Sequence, residues 1–171
     1  MIRLALLALV VFGTMIVEAV RARRNERLQR ARGGVEPRHD VYPLMQVAYP
    51  GVFLAMLWEG LLRPTPPTVV VAVGLAVLVA GKLLKWWAIL TLGQCWTFRV
   101  IVVPQAPLVT SGPYRWLRHP NYVGVVGELA GSAMMAGAPV AGLLGTLLFG
   151  GLMLVRVRLE TRALGAILRR G

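Results

Sequence analysis

Thiols, imidazoles and acids are scarce in this chain of 171 residues, and each scarcity closes off a class of chemistry. Cys95 is the lone cysteine, so neither an internal disulfide nor a cysteine-based metal cluster can form. His39 and His119 are the two histidines and stand far apart, which leaves no ligand set for a structural zinc ion; no metal is expected. Seven acidic residues face nineteen basic ones, a net charge of +12 in a chain whose charged share is 15%. On a soluble fold that balance would point to nucleic acid, but basic stripes do not alternate there with long uncharged apolar runs. Nucleic acid is therefore not expected as a partner, and cationic loops against the cytoplasmic face of a membrane take its place. Internal repeats are missing too, which removes the usual support for an inverted-repeat transporter.

What the chain has in abundance is apolar length. Its hydrophobic share of 57% exceeds the ~45–50% of ordinary soluble domains. Five apolar segments are of a size to be compared with the ~20 helical residues that cross a bilayer core of ~30 Å. The first, Ile2 to Val20, has Arg3 as its only early basic residue, no small-residue cleavage pattern and Glu18 near its end, so it reads as a retained span rather than a signal peptide. Seven arginines between Arg21 and Arg38 follow, with Gly33-Gly34 and Pro37 breaking any helix that continues. The second span runs from Tyr42 to Leu62 and stops at the proline-rich turn Arg63-Pro-Thr-Pro-Pro67. The third, Thr68 to Leu92, carries Lys82, Lys85, Trp86 and Trp87, the pattern of a span reaching an interface.

Residues Gly93 to His119 form a long connection, in which Val100-Ile-Val-Val-Pro104 is expected to lie along the membrane surface. Span four starts at Pro120, well suited to a first helical position, and ends near Gly137. Span five, Pro139 to Val157, returns antiparallel after a tight turn and leads into a basic tail containing Arg162, Arg169 and Arg170. The expectation is an all-α, polytopic integral membrane protein of about five transmembrane helices, closed by a C-terminal helical hairpin. Residues 1–171 form one domain: three spans in 1–92, then a binding loop, the hairpin and the tail in 93–171. The positive-inside tendency puts the N-terminus outside and the C-terminus in the cytoplasm of a bacterial plasma membrane, leaving Arg3 and Arg63 on the outer side.

Helix rise then joins distant residues. Span four climbs roughly 26 Å and span five descends roughly 27 Å at ~1.5 Å per residue. Arg156, Arg158 and Glu160 therefore come back to the depth of Arg118, His119 and Tyr122. Gly124, Glu128 and Gly131 share one face of span four, with Gly127 three residues from Gly124, so that helices can approach closely beside an intramembrane carboxylate; the Gly127–Gly131 pair would serve the hairpin or a dimer. Glu18 with Arg21, and Glu59 with Arg63, read as structural pairs at helical spacing.

The pocket this geometry builds has a recognisable chemistry. Arg118 offers a planar fork of donors for a carboxylate or phosphate, and His119 both donates and accepts near neutral pH. Tyr114, Trp116 and Tyr122 can stack on a planar ring, while Glu160 can accept from ribose hydroxyls or an amine. A nucleoside cofactor with an anionic part fits that set.

The stretch Gly112-Pro-Tyr-Arg-Trp-Leu-Arg-His-Pro-Asn-Tyr-Val-Gly124, followed by Arg156-Val-Arg-Leu-Glu-Thr-Arg-Ala-Leu164, resembles the isoprenylcysteine carboxyl methyltransferase family of integral membrane enzymes. Glu18 to Asn25 and Tyr42-Pro43 also look like its small bacterial members, thought to methylate hydroxyls of polyketide lipids such as alkylpyrones and alkylresorcinols. The resemblance implies S-adenosylmethionine bound between the last two spans and their flanking loops, and a lipophilic substrate entering from the bilayer. Arg118, His119, Tyr122 and Glu160 match the cofactor motif, with Tyr114 and Pro120 in the same stretch. The family often has two adjacent acids where this chain has Glu160-Thr161.

The implied reaction transfers a methyl group to a carboxylate or hydroxyl oxygen. His119 or Glu128 is a candidate base for a hydroxyl, and Arg158 or Arg156 a candidate to position an acidic head. Two alternatives remain open at this level. Membrane lipid or sterol double-bond reductases using a nicotinamide dinucleotide look similar around the same motif, and a small transporter or non-catalytic membrane partner would use Glu128.

Overall fold

A computed structural model describes residues 1–36, 41–104 and 106–168, with side chains described as far as residue 161. Pro37, Arg38, His39, Arg169 and Arg170, and the side chain of Arg162, lie outside the described residues. Among the described residues five α-helices follow in chain order: α1 (Ile2–Ala31), α2 (Tyr42–Leu62), α3 (Thr68–Leu92), α4 (Pro120–Ala136) and α5 (Pro139–Leu168). Helical turns at Gly93–Cys95 and Gly112–Arg115 interrupt the long connection. Four helices, α1, α2, α3 and α5, are long and apolar enough to cross a membrane. At 17 residues α4 stands at the lower limit of the ~17–25 residues that cross a bilayer core. The chain is an all-α polytopic membrane protein with four or five long apolar helices.

Local sequence sets the boundaries. α1 runs past its apolar segment on the arginine-rich stretch and ends before Gly33, whose φ of +80° is a left-handed conformation that favours glycine. Pro120 opens α4 without losing a hydrogen bond, and Gly137 closes it at φ +69°. At the start of α5, Glu59 accepts from the backbone N–H of Ala141 at 2.6 Å and of Val140 at 3.3 Å while pairing with Arg63 at 2.6 Å. The expected Glu59–Arg63 pair is present and also ties α2 to α5.

The interior is made where one stripe of each helix meets the others. Leu7 and Val11 of α1, Phe53 and Met56 of α2, Leu129 of α4 and Phe149 of α5 share the main core. Large apolar side chains such as Leu9, Leu83, Leu90, Leu143 and Leu147 point outward, an arrangement that is stable only against lipid. α4 lies along α3 through a glycine seam. A Cβ on Gly131 would stand 2.5 Å from the Leu78 nitrogen, and one on Gly81 would stand 2.8 Å from the Gly124 oxygen. The glycine face of α4 therefore serves α3, rather than the hairpin or a dimer, because backbone meets backbone there.

The strip after Arg99 also behaves differently from expectation. Val102 exchanges backbone hydrogen bonds with Val35 at 2.9 and 3.0 Å, and Val100 and Val102 are buried. Pairing with the segment after α1, not contact with a membrane surface, satisfies its polar groups. Glu36 beside it binds Arg99 at 2.7 Å and Arg30 at 2.6 Å. Partial burial opposes ionisation of Glu36, but hydrogen bonds from Arg99 and Arg30 prevail and hold its carboxyl below the usual range.

Candidate active site

Two cavities open side by side among these helices. One, of about 260 Å³, lies between the connection and the α4–α5 end and is lined by Tyr114, Arg118, His119, Tyr122 and Glu160, with Val100, Ile101 and Val102 as an apolar wall. Five residues singled out from sequence thus face one space. Pro120 is buried behind them at the start of α4. The His119 and Tyr122 rings stack with centroids 5.5 Å apart. The Tyr122 hydroxyl accepts from Arg156 Nε at 2.9 Å and donates to Glu160 Oε2 at 3.4 Å, so α4 and α5 meet at this pocket. Burial first, then the neighbouring Glu160 charge, raises the Tyr114 phenol well above its ordinary range and keeps it a neutral donor. Trp116 is not in the pocket; it sits 6.0 Å from Trp87 on the outside.

The second cavity, about 240 Å³, is chiefly apolar. Met15, Met45, Val125, Phe149 and Met153 form its walls, and Glu18, Tyr49, Lys85 and Arg156 reach it as polar groups. Trp96, Asn121 and Tyr122 line both cavities and separate one from the other. Asn121 Oδ1 is buried there without a hydrogen-bond partner.

Behind the second cavity lies a charged network that sequence reasoning did not find. Lys85 Nζ is 2.7 Å from Glu18 Oε2 and 3.3 Å from Glu128 Oε2, and Lys82 Nζ is 3.2 Å from Glu128 Oε1. The Tyr49 hydroxyl donates to Glu128, and Lys82 donates to Thr14 Oγ1 at 2.6 Å. Glu18 is thus paired with Lys85 across the bundle and not with Arg21. Lys82 and Lys85 turn inward instead of reaching for an interface, since two cations cannot leave two buried carboxylates unpaired. Opposite charges in separate apolar spans were the available signal. Glu128 lines neither cavity, being 1% exposed inside this network. Arg158 is exposed and also lines neither, whereas Arg156, two residues earlier, lines the apolar one.

One face of α1 holds the wall in place. Glu18, Ala22, Asn25 and Gln29 form a buried stripe at helical spacing. Asn25 Nδ2 donates to the carbonyls of Gly93 at 2.9 Å and Trp96 at 2.7 Å, and Gln29 Nε2 to that of Gln94 at 3.0 Å. Ala22 and Ile89 pack against Trp96.

A membrane-embedded bundle with a polar, aromatic pocket adjoining an apolar one defines a class: proteins that can bring a polar small molecule to a lipophilic one. Residues 72–166 match the model of the isoprenylcysteine carboxyl methyltransferase (ICMT) family. The chain belongs to that family, whose members are membrane-associated and S-adenosylmethionine-dependent methyltransferases. It is 32% identical over 143 residues to the uncharacterized protein YpbQ of Bacillus subtilis, covering 84% of this chain and 85% of that one. An uncharacterized protein of Haemophilus influenzae is 23% identical over 82% of this chain and 83% of its own. A probable protein-S-isoprenylcysteine O-methyltransferase of Oryza sativa is 32% identical over 71 residues, 40% of this chain and 37% of that protein. No solved structure matches the chain.

Proposed function

We propose that this protein transfers the methyl group of S-adenosylmethionine to an oxygen of a lipophilic substrate, with the cofactor in the polar cavity and the substrate in the apolar one. The observation that carries this is the shared wall of Trp96, Asn121 and Tyr122, which makes two chemically different pockets neighbours. The donor set fits the cofactor. Arg118 suits its carboxylate, Glu160 its ribose hydroxyls or amine, and Tyr114, the stacked His119–Tyr122 pair and the valine wall its adenine. Asn121 Oδ1, an acceptor with no protein partner, suits a cationic centre at the boundary. When bound, the cofactor supplies an electrophilic methyl on a sulfonium.

The chain's own residues supply position and dryness. Tyr122 is fixed by Arg156 and Glu160, so the wall is held from both helices. Fixing two reactants near contact distance contributes up to roughly 7–11 kcal/mol, and the apolar walls exclude water that would compete. In this reading Arg156, which lines the apolar cavity, holds a substrate oxygen, in place of Arg158, which is exposed and outside that cavity. Arginines 21–32 follow the first span and Arg156 and Arg158 the last, which supports a cytoplasmic cofactor pocket with the N-terminus outside.

Transfer of label from S-adenosylmethionine to total membrane lipid by the purified protein, followed by mass analysis, tests the reading. One lipid species gaining the mass of a methyl group is the expected result. No labelled product, together with reduction of a lipid double bond by a nicotinamide dinucleotide, would replace it.

A further inference from the structure

The apolar cavity opens sideways between α1 and α2. Of its lining residues Arg23 and Gln46 are exposed, and they stand on those two helices, whereas Phe149, Met153 and Arg156 of α5 are buried. α1 and α2 pack together at the end away from the arginines, where a Cβ on Gly60 would come within 3.3 Å of Leu4 and where Val11, Phe53 and Met56 share the core. Nearer the arginines they part around the cavity. Met15, Ala19 and Arg23 form one rim and Tyr42, Gln46 and Pro50 the other, each set spaced by four residues along one helical face.

Beside this opening α1 turns a continuous stripe toward the bilayer. Leu6, Leu9, Ile16 and Val20 are exposed as acyl-facing side chains, and Arg24 and Arg27 continue from Val20 at helical spacing. The opposite face, with Ala22, Asn25 and Gln29, is buried. At ~1.5 Å per residue the two arginines lie roughly 6 and 11 Å past Val20. Helical side chains lean toward the N-terminus of their helix, which carries both guanidinium groups back toward the bilayer. They reach the headgroup layer, about 5–8 Å deep, that flanks the hydrocarbon. Arg23, Arg24 and Arg27 are exposed and make no hydrogen bond or ion pair among the described residues. The acids nearby are already taken: Glu18 by Lys85, Glu36 by Arg30 and Arg99, and Glu26 faces Arg99 at 4.0 Å.

We infer that this face binds an anionic phospholipid, its phosphate among Arg23, Arg24 and Arg27 and one acyl chain laid along the opening over Met15 and Ala19. The inference goes beyond the methyltransferase reading and does not depend on it. Guanidinium forks suit a phosphate. A zwitterionic lipid offers the same phosphate but brings a cation of its own, which three arginines repel. Each basic residue at a membrane surface favours an anionic lipid about fivefold, and three together about a hundredfold. The rim residues Met15, Ala19 and Pro50 give the chain an apolar bed. A chain lying there covers the opening with hydrocarbon and keeps water from the cavity.

The test uses the detergent-purified full chain at low ionic strength, with dioleoyl phosphatidylglycerol or dioleoyl phosphatidylcholine added in mixed micelles and bound lipid counted by native mass spectrometry. Phosphatidylglycerol is expected to bind about a hundredfold more tightly than phosphatidylcholine. Arg24→Gln with Arg27→Gln should weaken its binding roughly 10–30-fold. Arg115→Gln with Arg158→Gln removes the same charge from exposed arginines elsewhere and should cost less than about threefold. Ala19→Trp, which fills the opening and leaves the arginines in place, should weaken binding roughly fourfold or more, the worth of a single buried CH2 group. Equal binding of the two lipids, or equal losses in the two double variants, would overturn the site. Unchanged binding by Ala19→Trp would overturn the placement of the chain, and displacement of the lipid by inorganic phosphate at equal concentration would make the arginines a site for free anions instead.

Discussion

Substituting Gly131 by alanine puts a methyl where two helices touch backbone to backbone. The new Cβ would meet the Leu78 nitrogen at 2.5 Å, the Gly74 oxygen at 2.6 Å and the Leu78 Cα at 2.8 Å. None of these is the end of a flexible side chain, so α3 and α4 must part by about 1 Å to reach ordinary contact distance. Overpacking of this kind costs ~1–3 kcal/mol. The same opening lengthens the Lys82 and Lys85 contacts to Glu128, which lies three residues before Gly131 on α4. Gly13→Ala in α1 is the control, because nothing lies within 4 Å of its Cβ, and alanine gains ~0.5–1 kcal/mol over glycine within a helix. Both positions are helical, so that gain is common to the two variants, and denaturation of the purified proteins in detergent should separate them by ~1–3 kcal/mol, with Gly131→Ala the weaker. Equal stability of the two would refute the α3–α4 seam as the contact that assembles the bundle.

Tyr122→Phe removes the hydroxyl joining Arg156 to Glu160 while keeping the ring stacked on His119. Affinity for S-adenosylhomocysteine should fall ~5–10-fold, the ~1–1.4 kcal/mol of one ordinary hydrogen bond, as read by titration. Asn25→Ala strips donors from the Gly93 and Trp96 carbonyls and should destabilise the protein by ~1–3 kcal/mol, with Trp96 fluorescence shifting as the turn loosens. Glu36 has a folded-state value below its ordinary 4.5, so its ion pairs stabilise the Val35–Val102 pairing fully above that pH. The contribution fades as pH falls through the lower folded value. Protection of the Val35 and Val102 amides, with the intrinsic exchange rates divided out, should fall on acidification more than in Arg99→Gln, which has already lost one of the two pairs.

Apolar run length and the proline-rich turns were enough to place α2 and α3 at Tyr42–Leu62 and Thr68–Leu92. Helix rise alone brought Tyr122, Arg156 and Glu160 together, because it needs only a tight turn between two helices. Partners across the bundle were not legible. Which helix the Gly124–Gly131 face meets depends on the complementary glycines Gly74 and Gly81, and a repeat of small residues in one span does not name its partner. Lys82 and Lys85 read as residues reaching for an interface for the same reason: a lysine in a span is explained by its nearest water until a carboxylate from another helix is placed beside it. Asn25 was visible only as the end of the family-like stretch Glu18 to Asn25 and Gln29 not at all, since a polar residue in an arginine-rich stretch looks solvated unless a loop folds over it.

The central claim is that the cavity lined by Tyr114, Arg118, His119, Tyr122 and Glu160 is built for a methyl donor. Calorimetric titration of S-adenosylhomocysteine into wild-type protein and into Glu160→Ala tests it most directly. Saturable one-to-one binding by the wild type, weakened at least tenfold in the variant, is the predicted result. Binding that is equal in both proteins, or binding of a nicotinamide dinucleotide with none of S-adenosylhomocysteine, would contradict it.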